Sequence, residues 1–118
     1  MSLRVTEIVM DCADHGAVVD FWAAALGYER RPVNGQYLAL VPPDAVVGHP
    51  PILFQQVPEP KTTKNRVHLD FRAEDRADEV ARLIGLGATV LAERSLGDFC
   101  WTVLADPAGN EFCVSGDA

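Results

Sequence analysis

WTVLADPAGNEFCV, residues 101–114, reads as a β-hairpin whose turn, register and faces follow from its chemistry. Asp106-Pro107-Ala108-Gly109 makes the turn. Asp106 bonds forward to the backbone, Pro107 presets φ at the second turn position, and Gly109 takes the positive φ that closes the loop. Strands therefore flank it on both sides. After the turn, Glu111 and Cys113 share one face while Phe112 and Val114 share the other, because successive strand side chains alternate. One face is apolar and the other carries chemistry.

Working outward, the same two-faced pattern recurs in residues 66–71 (RVHLDF), with Val67, Leu69 and Phe71 on one face and Arg66, His68 and Asp70 on the other. It recurs in residues 6–11, with Ile8 and Met10 against Glu7 and Asp11. Any one such strand fits a solvated sheet; three together imply a lined concavity.

With 118 residues the chain is expected to form one domain, large enough for a real core without disulfide or metal support. Hydrophobic content of 48% and charged content of 23% exclude the disordered class. A formal charge of −7 argues against nucleic acid or an anionic membrane as partner, since both are bound through Lys and Arg clusters. A cationic or neutral small molecule fits that balance better. The three cysteines, Cys12, Cys100 and Cys113, have no CxxC spacing and fall within expected strands, so no disulfide is expected. With neither a leader-like segment nor an apolar run of about 20 residues, a cytoplasmic location is expected.

In chain order, a strand over residues 3–11 leads to an N-cap at Asp14 and a helix over 15–26, with Val18, Phe21, Trp22 and Ala25 inward and Gly27 as C-cap. Two strands, 28–32 and 36–41, follow, joined by Asn34-Gly35 as a tight turn of positive φ. Residues 44–50 read as a loop overhanging the concavity, and 51–57 as a strand. The proline-bearing residues 58–65 (PEPKTTKN) read as a connector. The pattern then repeats: strand 66–72, cap Asp75, helix to 86 with Ala77, Val80, Leu83 and Ile84 inward and Arg76 outward, Gly87, strand 88–93, turn 94–98, and the closing hairpin. Each half is β-α-β-β-β. The expected fold is α+β, with module 1 at about 3–57, connector 58–65 and module 2 at about 66–115, two tandem modules forming a curved eight-stranded half-barrel with the helices outside.

Spacing supports a duplication. Glu7 to His68 and Asp14 to Asp75 are both 61 positions, Gly27 to Gly87 is 60, Tyr37 to Trp101 is 64, and Phe54 to Phe112 and Gln55 to Cys113 are 58. That alignment places Glu7, Gln55, His68 and Cys113 at equivalent inner-wall positions of four strands, with Gln56 one residue away as the other choice for the second of them.

This arrangement, with the strings LGY (26–28), KNRVHLD (64–70) and DPAGNEFCV (106–114), resembles the glyoxalase/bleomycin resistance/dioxygenase superfamily, the vicinal oxygen chelate fold. The resemblance spans residues 3–115 and points to a glyoxalase-like subgroup of unassigned reaction. It implies a small-molecule ligand, a homodimer, and in metal-using members a divalent cation (zinc, nickel, manganese or iron) at four inner-wall positions, here Glu7, Gln55, His68 and Cys113. Glu7 and His68 are usual ligand types there, and they are the catalytic candidates. A neutral amide and a thiol at the other two favour softer ions, and a single inner-wall histidine does not support the two-His, one-carboxylate iron mechanism.

Candidate pocket residues are Tyr37, Arg66, Asp70, Trp101 and Glu111, with Phe99 as a further aromatic; on strands such rings also serve packing. Cys113 reads as a small lining residue rather than a nucleophile, since His68 is the one basic partner in view. Lys61, Lys64 and Arg66 form a basic cluster suited to solvent or to an anion. The expected function is a glyoxalase-like enzyme acting on a carbonyl- or vicinal-oxygen-bearing substrate, with metal assistance. The alternative is a metal-free binding protein of the bleomycin-resistance type. A third is a structural domain whose modules build a dimer interface, to which Trp22 would lend apolar area.

Overall fold

Two helices, each entered through an aspartate and left through a glycine, organise the chain. The computed structural model describes residues 2–44 and 49–117. Most of the expected overhanging loop, residues 45–48, lies outside the described residues. The elements are β1 (Ile8–Cys12), α1 (His15–Leu26), β2 (Glu29–Asn34), β3 (Tyr37–Val41), β4 (Ile52–Gln56), β5 (Leu69–Asp75), α2 (Arg76–Leu86), β6 (Thr89–Leu96), β7 (Phe99–Ala105) and β8 (Glu111–Asp117). Two compact units result, Met1–Pro60 and Lys61–Ala118, each β-α-β-β-β. The class is α+β, as expected.

The helix ends are those the sequence specifies. Asp14 Oδ1 accepts from the Gly16 N–H at 2.9 Å and Asp75 Oδ1 from the Asp78 N–H at 3.0 Å, each satisfying a first-turn amide that has no helical partner. Gly27 ends α1 at φ 68°, a left-handed value a glycine takes without the Cβ clash.

Each unit holds a four-stranded mixed sheet, in the order β1-β4-β3-β2 and β5-β8-β7-β6. The outer strand is parallel to its neighbour and the other pairs are antiparallel. In the first unit α1 packs on β3 and β4, burying Val18, Phe21 and Trp22 as well as Leu40, Ile52 and Phe54. In the second, α2 packs on β5, β7 and β8 over Leu83, Leu104, Phe112 and Val114. Each such large apolar side chain contributes about 1.5–3 kcal/mol by leaving water. Trp22 is only 1% exposed, so it has no apolar area left for a dimer contact.

Several boundaries depart from expectation, each for a physical reason. Strand β5 starts at Leu69 rather than residue 66, because its partner there is already Phe112 and β8 begins only at Glu111. Residues 66–68 therefore precede the ladder, and Val67 is 81% exposed rather than inward. Strand β1 likewise starts at Ile8 and leaves Glu7 just ahead of it, exposed. Asn34 pairs with Tyr37, so the first hairpin turns at Gly35-Gln36, and neither Asn34 nor Gly35 has positive φ. Strand β6 runs on to Leu96 and turns at Gly97, φ 59°.

Helix α2 buries a different stripe from the one expected. Ala77 and Ile84 are exposed, and Arg76 joins Val80 and Leu83 on the covered side. Its guanidinium is satisfied there: Nη1 donates to Glu93 Oε2 at 2.7 Å and to the buried Thr102 Oγ1 at 2.9 Å, and Nε to the Gly116 carbonyl at 3.3 Å. A half-buried cation is tolerated when paired and hydrogen-bonded in this way.

Strand pairing also corrects the internal alignment. Ile8 lies opposite Ile52 and Leu69 opposite Phe112; Leu40 lies opposite Ile52 and Leu104 opposite Phe112; Tyr37 lies opposite Gln55 and Trp101 opposite Ser115. Ile52 is thus the counterpart of Phe112, Gln55 of Ser115, and Leu53 of Cys113. The Phe54–Phe112 match slips by two residues. The Glu7–His68 and Tyr37–Trp101 matches agree with the pairing.

Candidate functional site

The polar face of the second unit's sheet encloses a concavity of about 590 Å³. Its floor is made of cross-strand rows. One runs Ala92, Val103, Cys113, Asp70 over β6, β7, β8 and β5; the next runs Arg94, Trp101, Ser115. Alternation along each strand delivers these residues to one face, while Phe112, Val114, Thr102 and Leu104 go to the buried one. His68, Phe99, Lys64 and Glu111 complete the wall.

His68, Asp70 and Cys113 converge. Their ligand atoms all lie within 4.8 Å of one another, with Cys113 buried and the other two exposed. The register explains the meeting, since Asp70 and Cys113 are directly opposed on parallel strands and His68 is two residues before Asp70. His68 Nδ1 is 3.2 Å from Asp70 Oδ1. The Cys113 thiol is pushed up from its ordinary value, first by burial and then by the charge and hydrogen bond of Asp70. It is a neutral thiol at neutral pH, not a free nucleophile.

One nitrogen, one carboxylate oxygen and one sulfur at this spacing fit a borderline divalent ion, whose bonds to them are about 2.0–2.3 Å, better than a hard one that prefers oxygen. Zinc is the best match to the donor set. Binding would displace the thiol proton, so affinity would rise with pH.

Glu111 is held differently. Its Oε1 accepts from the Asn65 N–H at 2.6 Å and lies 3.4 Å from Lys61 Nζ, and its Oε2 lies 4.0 Å from Lys64 Nζ. The Asn65 bond, opposed by burial and assisted by the two lysines, holds the carboxyl below its ordinary range. Asn65 Oδ1 in turn accepts from the Glu111 N–H at 2.9 Å, and its Nδ2 donates to Asn110 Oδ1 at 3.1 Å. This clamp anchors the connector to the start of β8. The turn before it is tied by Asp106, 4% exposed, whose Oδ1 accepts from the Ala108 and Asn110 N–H groups, both at 2.9 Å.

Of the residues singled out in the sequence, His68, Asp70, Trp101, Glu111 and Cys113 share the concavity, as does Phe99. Arg66 is exposed and is not part of its lining. Glu7, Tyr37 and Gln55 belong to the first unit, where Gln55 sits between Asp11 and Tyr37. The counterparts there of Asp70 and Cys113 are Val9 and Leu53, both apolar. Asn65 has no site role in the sequence reading, whereas Arg94 belongs to the turn over residues 94–98 expected to contribute to specificity. Only the continued pairing of β6, which sets Arg94 opposite Trp101, shows its face.

The family model of the glyoxalase-like domain matches residues 7–115. The chain belongs to this glyoxalase-like family. Solved structures with the same fold include a glyoxalase/bleomycin resistance protein/dioxygenase family enzyme from Burkholderia phytofirmans PsJN, 18% identical over 96% of this chain and 98% of that one, with a TM-score of 0.74. A mutant of the fosfomycin resistance protein FosX from Listeria monocytogenes, complexed with Mn(II) and 1S,2S-dihydroxypropylphosphonic acid, is 14% identical over 100% and 93%, with a TM-score of 0.78. A glyoxalase-related enzyme from Fulvimarina pelagi is 13% identical over 97% and 88%, with a TM-score of 0.72. These likenesses show the fold. No curated protein matches the chain. Among the described residues no helix of this glyoxalase-like chain is long and apolar enough to cross a membrane.

Proposed function

We propose that this glyoxalase-like chain is a small-molecule enzyme acting on a carbonyl- or vicinal-oxygen-bearing substrate in the concavity of its second unit, with His68, Asp70 and Cys113 holding a divalent cation. The convergence of those three groups on the floor of a ligand-sized concavity carries the reading. The Mn(II) in the FosX neighbour is in keeping with it. When bound, the cation supplies Lewis-acid polarisation of a substrate oxygen.

The chain's own groups do the rest. Asp70 orients the His68 ring through Nδ1 and leaves Nε2 to face the ligand or the cation. Trp101 and Phe99 provide the apolar wall that excludes water.

Calorimetric titration of chelator-treated protein with zinc, nickel, cobalt and manganese tests this, beside His68→Ala and Cys113→Ser. Micromolar or tighter binding of zinc or cobalt, lost in both variants and accompanied for cobalt by a sulfur-to-metal absorption band, is expected. Binding that both variants retain would refute the cluster.

A metal-free ligand-binding protein is the second reading, and it is favoured by the apolar Val9 and Leu53 at the first unit's equivalent positions. It predicts saturable organic-ligand binding that survives a chelator.

A further inference from the structure

Although the chain's formal charge is −7, the concavity's lining sets two cations, Lys64 and Arg94, against two carboxylates, Asp70 and Glu111. On the concavity's wall, Glu111 is matched by two lysines, while Arg94 has no carboxylate of the described residues within 4.0 Å. The hydrogen bond of its guanidinium is a long one, 3.4 Å, to the neighbouring Glu93 carbonyl. Arg94 lies directly opposite Trp101 across the β6–β7 pair. Trp101 and Phe99 stand with ring centroids 5.5 Å apart, tilted 36°, and Phe99 is 51% exposed. A cation with unused donors therefore adjoins an aromatic wall that is only partly covered. Strand β6 is two strands from β8, about 10 Å at ordinary sheet spacing. Arg94 and Cys113 both line the concavity, so a ligand with about that span can meet the guanidinium and the Cys113 row.

We infer that Arg94 is a ligand-orienting residue, and that the ligand is a small molecule with a planar or apolar body ending in an oxyanion, a carboxylate or a phosphate ester. The inference rests on the reading of the concavity as the ligand site. The guanidinium's planar fork matches either oxyanion bidentately, and the body lies on the Phe99–Trp101 rings. The Lys64 ammonium already faces Glu111 and offers no equivalent anchor.

The test uses benzoate, phenyl phosphate and neutral benzamide, titrated into chelator-treated protein so that no bound cation serves as the anchor. Binding is read from the Trp101 indole and Cys113 amide NMR shifts, in wild type, Arg94→Gln and Arg94→Lys. At least one anion is expected to bind about tenfold or more tighter than benzamide. That preference disappears in Arg94→Gln and partly returns in Arg94→Lys, while benzamide binding is unchanged in both. Which anion wins distinguishes the carboxylate from the phosphate class. Equal affinity for anion and amide, or a preference that Arg94→Gln keeps, overturns the role of Arg94 alone. If no probe perturbs Trp101 or Cys113 in wild type, the ligand-site reading falls and this inference with it.

Discussion

Glu111→Gln separates the structural use of a concavity-lining carboxylate from a chemical one. The substitution keeps the side chain's size and an acceptor for the Asn65 N–H, now 2.6 Å away, and removes the charge. A hydrogen bond to a charged group is worth about 1.5–3 kcal/mol against about 1 for a neutral one. The Lys61 pair, with side chains 27% and 14% exposed, adds at most about 1 kcal/mol. The variant should therefore lose about 1–2 kcal/mol at pH 7. Because the folded carboxyl titrates below its ordinary value of 4.5, this stabilisation is complete above that value and is lost as pH falls through the folded pKa. Urea denaturation followed by circular dichroism from pH 7 to pH 3 measures it. The gap between wild type and variant should be widest at neutral pH and close in acid. A gap that is absent at pH 7, or that stays constant to pH 3, would refute the clamp.

Asp106→Ala removes a 4%-exposed acceptor of two turn amides and should cost about 2–3 kcal/mol, read as a lowered Tm. Gly116→Ala would place a Cβ 2.1 Å from the Ala73 carbonyl oxygen at φ 139°, so β5 and β8 must separate locally; a loss above about 3 kcal/mol is expected, and an unchanged urea midpoint would contradict the close approach. Thr102→Val keeps the shape but removes the hydroxyl between Arg76 and Glu93, and should cost about 1–2 kcal/mol while leaving the proposed metal cluster untouched, since that network lies on the opposite face of the sheet from it.

The parts legible in advance are those decided within a few residues. Asp14 and Gly27, Asp75 and Gly87, and the Asp106–Gly109 turn each act through hydrogen bonds or φ values local to the chain, so their residue types announce them. Face alternation also placed Asp70, Trp101, Glu111 and Cys113 together, because a strand has period two whatever it pairs with. Where covered stripes depend on a partner, local pattern fails. Arg76 is inward because Glu93 and Thr102, 17 and 26 positions away, satisfy it, and no helical periodicity contains that fact.

The sequence by itself thus determined the two β-α-β-β-β modules, their caps and the chemistry-bearing face of each strand. Tertiary structure alone decided the register. A slip of two residues keeps every side chain on its face, so alternation cannot tell Phe54 from Ile52 as the counterpart of Phe112; the ladder hydrogen bonds can. That choice puts Leu53, not Gln55, at the position of Cys113. The same ladders set Asp70 against Cys113, 43 positions away, and Arg94 against Trp101. Long-range pairing, rather than residue type, makes one concavity of them.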